Sequence, residues 1–263
     1  AVEDRARSWW YLGSTLVVWL AAFAGAALLP HWSLRLSSGL LAGLVTVRMF
    51  ILYHDFLHGA ILRGSRSARA ILGAYGVFVL NPPKVWRETH NYHHAHTAKL
   101  VGSNVGSYVT VNTAMWAKMS PAERLLYRVV RHPVTILLGL LTIFLYGMCL
   151  SSFLRSPRKH WDSGLALVAH AGATVALVML AGVEVYLFAF LIPLSVACAV
   201  GAYLFYAQHN FPGMHIQPRE SWSYTRAALE SSSYMELGPV WRWFTGNIGY
   251  HHVPHLNPSI PFY

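Results

Sequence analysis

The chain has 263 residues, 55% hydrophobic and only 11% charged, where a soluble domain carries about a quarter charged residues; with a mean hydropathy of +0.39, it reads as an integral membrane protein. Its 20 Lys and Arg against 10 Asp and Glu, a net +10, then report which loops face an anionic cytoplasmic leaflet, and nucleic acid is the weaker reading. Two cysteines, Cys149 and Cys198, both lie in apolar runs, which excludes a disulfide framework or a Cys-rich zinc site. There is no Gly-rich dinucleotide fingerprint and no P-loop, so the chain is not expected to carry its own flavin, nicotinamide or ATP.

Residues 9–29 form an uncharged apolar run ended by Pro30, long enough for a hydrocarbon core of roughly 30 Å and too long for a signal peptide. The sequence starts at Ala1 rather than Met, which leaves room for a preceding segment. A second crossing, 36–53, contains Arg48 near its end, where the side chain is expected to snorkel. Arg63, Arg66 and Arg69 follow, which assigns this end to the cytoplasm. Residues 71–80 are apolar but about half a membrane long, stop at Pro82-Pro83, and are expected to dip into the interface.

Residues 84–133 are polar and aromatic, and a helix is predicted to start there at the capping box Ser120-Pro121-Ala122-Glu123. Three apolar runs come next, 134–154, 164–181 and 185–206. The first is flanked by Arg131 on one side and by Arg155, Arg158 and Lys159 on the other, so both its ends are expected to stay cytoplasmic and the run not to cross. The other two form a hairpin turning at Gly182-Val183-Glu184, and 210–263 is a Pro-rich cytoplasmic tail. The expected fold is an all-α integral membrane protein of one domain, 1–263. It has four transmembrane helices in two hairpins, a cytoplasmic histidine-rich cap and interfacial helices.

Histidine carries the chemistry. His90, His93 and His94 stand at i, i+3 and i+4, positions that share one helical face. His54 and His58 repeat the i, i+4 spacing, His251, His252 and His255 form a third cluster, and His209 stands alone. A single such triplet reads as well as a hydrated, pH-sensitive patch; three clusters on one side of a membrane read as a metal site. Nine imidazoles exceed one coordination sphere, so two metals are expected, of a kind that neutral nitrogen ligands suit, which leaves Fe, Zn, Cu or Mn. The Glu-x-x-His pairs of carboxylate-rich di-iron bundles are missing. Asp55, Glu88, Glu236 and Asn247 lie near the clusters and are candidates to accept the second ring N–H of a ligand, with ordinary solvation as the simpler role. His31, His96, His132, His160, His170 and His215 fall off these spacings and are left out of the metal set.

The three clusters, with the tail from Phe244 to Leu256 and with Arg131-His132-Pro133 and Gln208-His209, resemble the histidine boxes of the membrane fatty acid desaturase family, especially its acyl-lipid branch. The resemblance implies a non-haem centre of two iron ions that uses O2 and two electrons to remove two hydrogens from a fatty acyl chain. It also implies membrane lipid as the setting and an external electron donor of the ferredoxin or cytochrome b5 type. The expected location is a bacterial inner membrane, with the active site on the cytoplasmic side. One departure stands out: Pro254 occupies a third-box position where the family has histidine. Proline is expected to break the local helix, and His252 is expected to supply the missing ligand. A lipid or carotenoid hydroxylase or ketolase shares these boxes. A metal transporter would want ligands near the bilayer midplane, where only His170 is expected, and a b-type haem protein would want histidines inside facing helices.

Overall fold

Every regular element is helical among the described residues, 2–103 and 105–263 of this computed structural model. Helix α1 (Arg5–Leu28) begins where Asp4 accepts the Arg7 amide at 3.0 Å, and α2 (Trp32–His58) closes on Gly59, whose φ of +75° suits glycine. Then come α3 (Arg66–Phe78), α4 (Pro83–His96), α5 (Thr113–Lys118), α6 (Pro121–Val130) and α7 (Pro133–Leu137). A π-helical stretch, Leu140–Ser151, runs into α8 (Ser152–Arg155), followed by α9 (Trp161–Ala181) and α10 (Val183–Tyr186). A π turn at Leu187–Leu191 leads into α11 (Ile192–Ala207), with Pro193 just after the join, where its missing N–H interrupts the helical ladder next to the π turn. Three short helices end the chain: α12 (Tyr224–Glu230), α13 (Pro239–Thr245) and α14 (His252–Leu256).

Four helical stretches are long and apolar enough to cross a membrane: α1, α2, α9 and the continuous run Val183–Ala207. Val17 and Leu20 on α1, and Val168, Val175, Met179 and Leu180 on α9, are exposed, an apolar surface that suits lipid rather than water. The run after α7 is shorter: 12 residues of π helix and 4 of α helix reach at most about 24 Å at roughly 1.5 Å per residue. The predicted capping box is present, with Ser120 and Glu123 satisfying each other's backbone amides at the start of α6. Leu125, Leu126 and Val129 of α6 are exposed beside Arg124 and Arg128.

The two turns between long helices lie at one end of the bundle. Arg35 bonds the Leu29 carbonyl at 2.6 Å in the first turn and Glu184 at 2.9 Å in the second. The opposite ends of α2 and α11 carry His54, His58 and His209. Between them a core of Leu12, Met49, Leu52, Tyr53, Leu72 and Tyr75 joins α1, α2 and α3. Tyr53 donates to the Asn81 carbonyl and Tyr75 to the Thr46 carbonyl, at 2.7 and 2.8 Å, so the tyrosines span apolar and polar layers without an unpaired hydroxyl.

Arg48 does not snorkel. It is 4% exposed; its Nε donates to Thr15 Oγ1 at 3.1 Å, its Nη1 donates to the Trp243 carbonyl, and its guanidinium lies 4.4 Å from the Trp243 ring centroid. A buried cation needs such partners, and here they fasten α13 to the side of α2. The α2–α11 contact depends on small residues: a Cβ on Gly43 would come within 2.7 Å of Val196 Cβ and 2.9 Å of the Pro193 carbonyl. Gly43→Ala is expected to cost about 1–3 kcal/mol through overpacking. Gly13→Ala, where nothing lies within 4 Å, is expected to be neutral or to gain up to about 1 kcal/mol. Thermal unfolding of the two detergent-solubilised variants checks both signs.

Candidate metal centre

Eight imidazoles converge at the end of the bundle away from the two turns, and they sort into two groups. His54, His58, His90 and His94 make one, and His93, His209, His251 and His255 the other; within each, one nitrogen per ring lies within 4.8 Å of the rest. The last turn of α2 supplies His54 and His58, four apart on one face. Helix α4 supplies three rings, and the structure divides them. His90 and His94 turn toward the α2 pair, while His93 turns toward the second group, so the triplet borders both groups instead of building one face. The groups touch where His94 stacks on His255, centroids 4.1 Å apart.

Local packing fixes α4 at its start. Pro83 opens the helix without an N–H to satisfy, and Asp162 of α9, buried, accepts the Lys84 amide at 2.9 Å. Trp86 then stacks under His90 with centroids 4.2 Å apart. In the second group, Gln208 anchors the end of α11 by donating to the Ile248 carbonyl at 3.2 Å, which brings His209 against the segment that carries His251.

Within the groups ring nitrogens face ring nitrogens. Nε2 of His90 lies 3.1 Å from Nε2 of His54 and 3.0 Å from Nε2 of His94, and Nε2 of His209 lies 2.9 Å from those of both His93 and His251. His255 Nε2 is 3.1 Å from His251 Nε2. A ring nitrogen owns one proton or one in-plane lone pair, and neither serves two such neighbours at once. Nε2 of His58 is buried without any partner. Burial holds His90, His93, His251 and His255 well below the ordinary histidine range, and brings His94 down to about 3 and His209 down to about 4. These six rings are therefore neutral at neutral pH, with lone pairs free for a cation. The donor set fits bound metal better than mutual hydrogen bonding.

The outer nitrogens are held unevenly. His54 Nδ1 meets Asp55 Oδ1 at 2.9 Å. His209 Nδ1 donates to the Ser231 carbonyl at 2.8 Å, and His255 Nδ1 lies 3.3 Å from Thr97 Oγ1. Neither partner was flagged in the sequence, since a backbone carbonyl leaves no mark there. The other three candidates stand elsewhere. Glu88 points away from the rings to Lys159 at 2.6 Å and His160 at 2.9 Å, Glu236 is exposed, and Asn247 donates to the Phe262 carbonyl at 3.0 Å.

The third cluster differs from the sequence reading in two ways. Pro254 does not break the helix: it sits in the first turn of α14, where no intrahelical donor is required. The i, i+4 relation of His251 and His255 therefore survives, and His252, about 100° round the helix from His251, belongs to neither group. It is half-buried, its ring centroid 6.4 Å from those of Tyr234 and Tyr250. Among the described residues, no ninth imidazole joins the eight.

A cavity of about 750 Å³ opens against both groups. His54, His90 and His251 form part of its wall, and most of the rest is apolar, including Phe50, Ile51, Val79, Phe144 and Phe205. The π-helical stretch contributes Thr142, Ile143, Phe144, Tyr146, Gly147 and Met148 along one side. Size and lining are those of a site for a greasy ligand with few polar fixtures.

The chain matches the fatty acid desaturase family over residues 30–263, a span that takes in all eight converging histidines. It is 30% identical over 223 residues to a fatty acid desaturase of Bacillus subtilis, a match covering 84% of this chain and 63% of that protein. It is 25% identical over 266 residues to the sn-1 oleoyl-lipid 12-desaturase of Synechocystis, covering 99% of this chain and 74% of that one. The chain thus spans less than two thirds of the Bacillus protein. With the family's match running through every histidine of both groups, this chain belongs to the fatty acid desaturase family.

Proposed function

We propose that the chain is an O2-dependent acyl desaturase that holds two non-haem iron ions, one in each four-histidine group, and acts on an acyl chain lying in the apolar cavity. The observation that carries this reading is that both groups, through His54, His90 and His251, form the wall of one apolar cavity.

When bound, the metal pair would supply, with O2 and two electrons from an external donor of the ferredoxin or cytochrome b5 type, the oxidising power to take two hydrogens from unactivated carbons, which no side-chain base can do. The protein's own part is placement. Neutral imidazoles present lone pairs without having to release protons, and Asp55, the Ser231 carbonyl and Thr97 keep three of the rings from rotating. The apolar cavity wall keeps the reacting segment of the chain dry and beside the rings. The name of the Synechocystis relative, an oleoyl-lipid desaturase, supports a lipid-linked acyl chain drawn from the membrane.

The orientation follows from charge. Arg63, Arg66 and Arg69, and Arg155, Arg158 and Lys159, flank segments at the histidine end, so that end would be cytoplasmic and the Arg35–Glu184 end external. The two hairpins are then α1–α2 and α9–α11, with the shorter run between α7 and α8 entering and leaving from the cytoplasmic side, and the location is a bacterial inner membrane. Ser156→Cys, in a background without Cys149 and Cys198, is expected to react with a membrane-impermeant thiol reagent only from the cytoplasmic side, as is Gly64→Cys. Opposite sidedness of the two would contradict this topology.

Expression in a host lacking the activity, followed by fatty acid methyl ester profiling, is expected to give a new double bond. A hydroxylated or keto product would contradict the assignment and favour the oxygen-inserting relatives. In the same assay, His255→Ala is expected to reduce product by at least about 100-fold, beyond the 10–100-fold typical of residues around a coordination sphere. His252→Ala is expected to stay within about 2-fold, as for a substitution worth less than ~0.5 kcal/mol.

A further inference from the structure

Asp55 is 5% exposed and uses both of its oxygens. Oδ1 meets Nδ1 of His54 at 2.9 Å, and Oδ2 accepts the backbone N–H of Phe262 at 2.7 Å, from 207 residues further along the chain. The neighbouring groups fix Phe262 in place. Its carbonyl accepts Asn247 Nδ2 at 3.0 Å, its ring packs against Tyr11 with centroids 5.2 Å apart, and the Tyr263 hydroxyl lies 2.8 Å from Ser8 Oγ and 3.0 Å from the Asp4 carbonyl. Tyr263 also stacks on Tyr11 at 5.2 Å.

A buried carboxylate needs donors for both oxygens. His54 can give only one proton, from Nδ1, and must keep that ring nitrogen turned away from the group so that Nε2 faces it. The second donor is the Phe262 amide. We propose that residues 261–263 are a strap whose Phe262 peptide N–H holds Asp55, and through it the His54 ring, in register with its histidine group. Phe262 N–H is thus a positioning group for the candidate metal centre, and the strap ties that centre to the first turn of α1. Through Asn247, four residues before His251, the same strap also steadies the approach to the second group.

This rests on the metal reading above, so the test measures metal retention rather than turnover. The full chain is purified, loaded with ferrous iron and challenged with a chelator, and the loss of each iron is followed in time. Phe262→Pro removes the N–H, Phe262→Ala keeps it while deleting the ring, and Asp55→Asn leaves the site two donors face to face. Phe262→Pro and Asp55→Asn are each expected to speed the loss of one of the two irons by about 10- to 100-fold, and the double variant to be no faster than the worse single one, because both break one linkage. Phe262→Ala is expected to lose iron at close to the wild-type rate. Iron loss unchanged in Phe262→Pro, equal acceleration in Phe262→Ala, or additive effects of Asp55→Asn and Phe262→Pro would each overturn the strap. If Phe262→Pro fails to fold, Asn247→Ala takes its place, since it frees the Phe262 carbonyl without touching Asp55: faster iron loss than wild type supports the strap, and the wild-type rate overturns it. A wild-type chain that takes up no iron would overturn the metal reading itself, an outcome visible before any variant is compared.

Discussion

The structure turns on eight imidazoles packed with their nitrogens toward one another. Burial makes protonation of these rings unfavourable, yet neutral rings that share nitrogens at 2.9–3.1 Å cannot satisfy each other. An unsatisfied buried polar group costs about 1–3 kcal/mol, and this fold places many of them in one spot. A bound cation would relieve that cost, and the remaining features of the bundle serve to deliver the rings there.

Delivery is from helix ends. α2 and α11 bring His54, His58 and His209 to the same end because their turns are tied together at the other, through Arg35 and Glu184. Helix α4 lies between the two groups and can serve both because positions i and i+4 differ in direction by about 40°, whereas i+3 falls on the other side of i by about 60°. His93 thereby points away from His90 and His94. Arg48 performs the matching task on the far side of α2, where its bonds to Thr15 and the Trp243 carbonyl hold the returning tail against the bundle. An apolar cavity lies on one side of the rings, and Asp55, Thr97 and the Ser231 carbonyl contact their outer nitrogens on the other.

Much of this was legible in the sequence where a local rule applies. The four long apolar runs, the capping box at Ser120 and the His54–His58 and His251–His255 spacings depend only on neighbours a few residues apart, and the histidine clusters as a set point to the family. What stayed hidden depends on distant partners. Glu88 sits next to the His90 cluster in the chain, but Lys159 and His160, over 70 residues away, claim its carboxylate. Arg48 looked close enough to a helix end to reach water, and tertiary contacts with Thr15 and Trp243 buried it instead. At Pro254 the local rule was sound but applied at the wrong helical position: proline breaks a helix interior, and here it stands in a first turn. With the helix intact, His252 faces aside, and the group is completed by His93 from α4, a ring the spacing had grouped with His90 and His94.

On the proposed reading, the two groups are two separate metal sites. The most direct measurement is a diffraction structure of the iron-loaded chain with anomalous data at the iron absorption edge. Two iron peaks are expected, one bonded by His54, His58, His90 and His94 and one by His93, His209, His251 and His255, with His252 bonded to neither. A single peak shared by the two groups, or an iron bonded by His252, would contradict it.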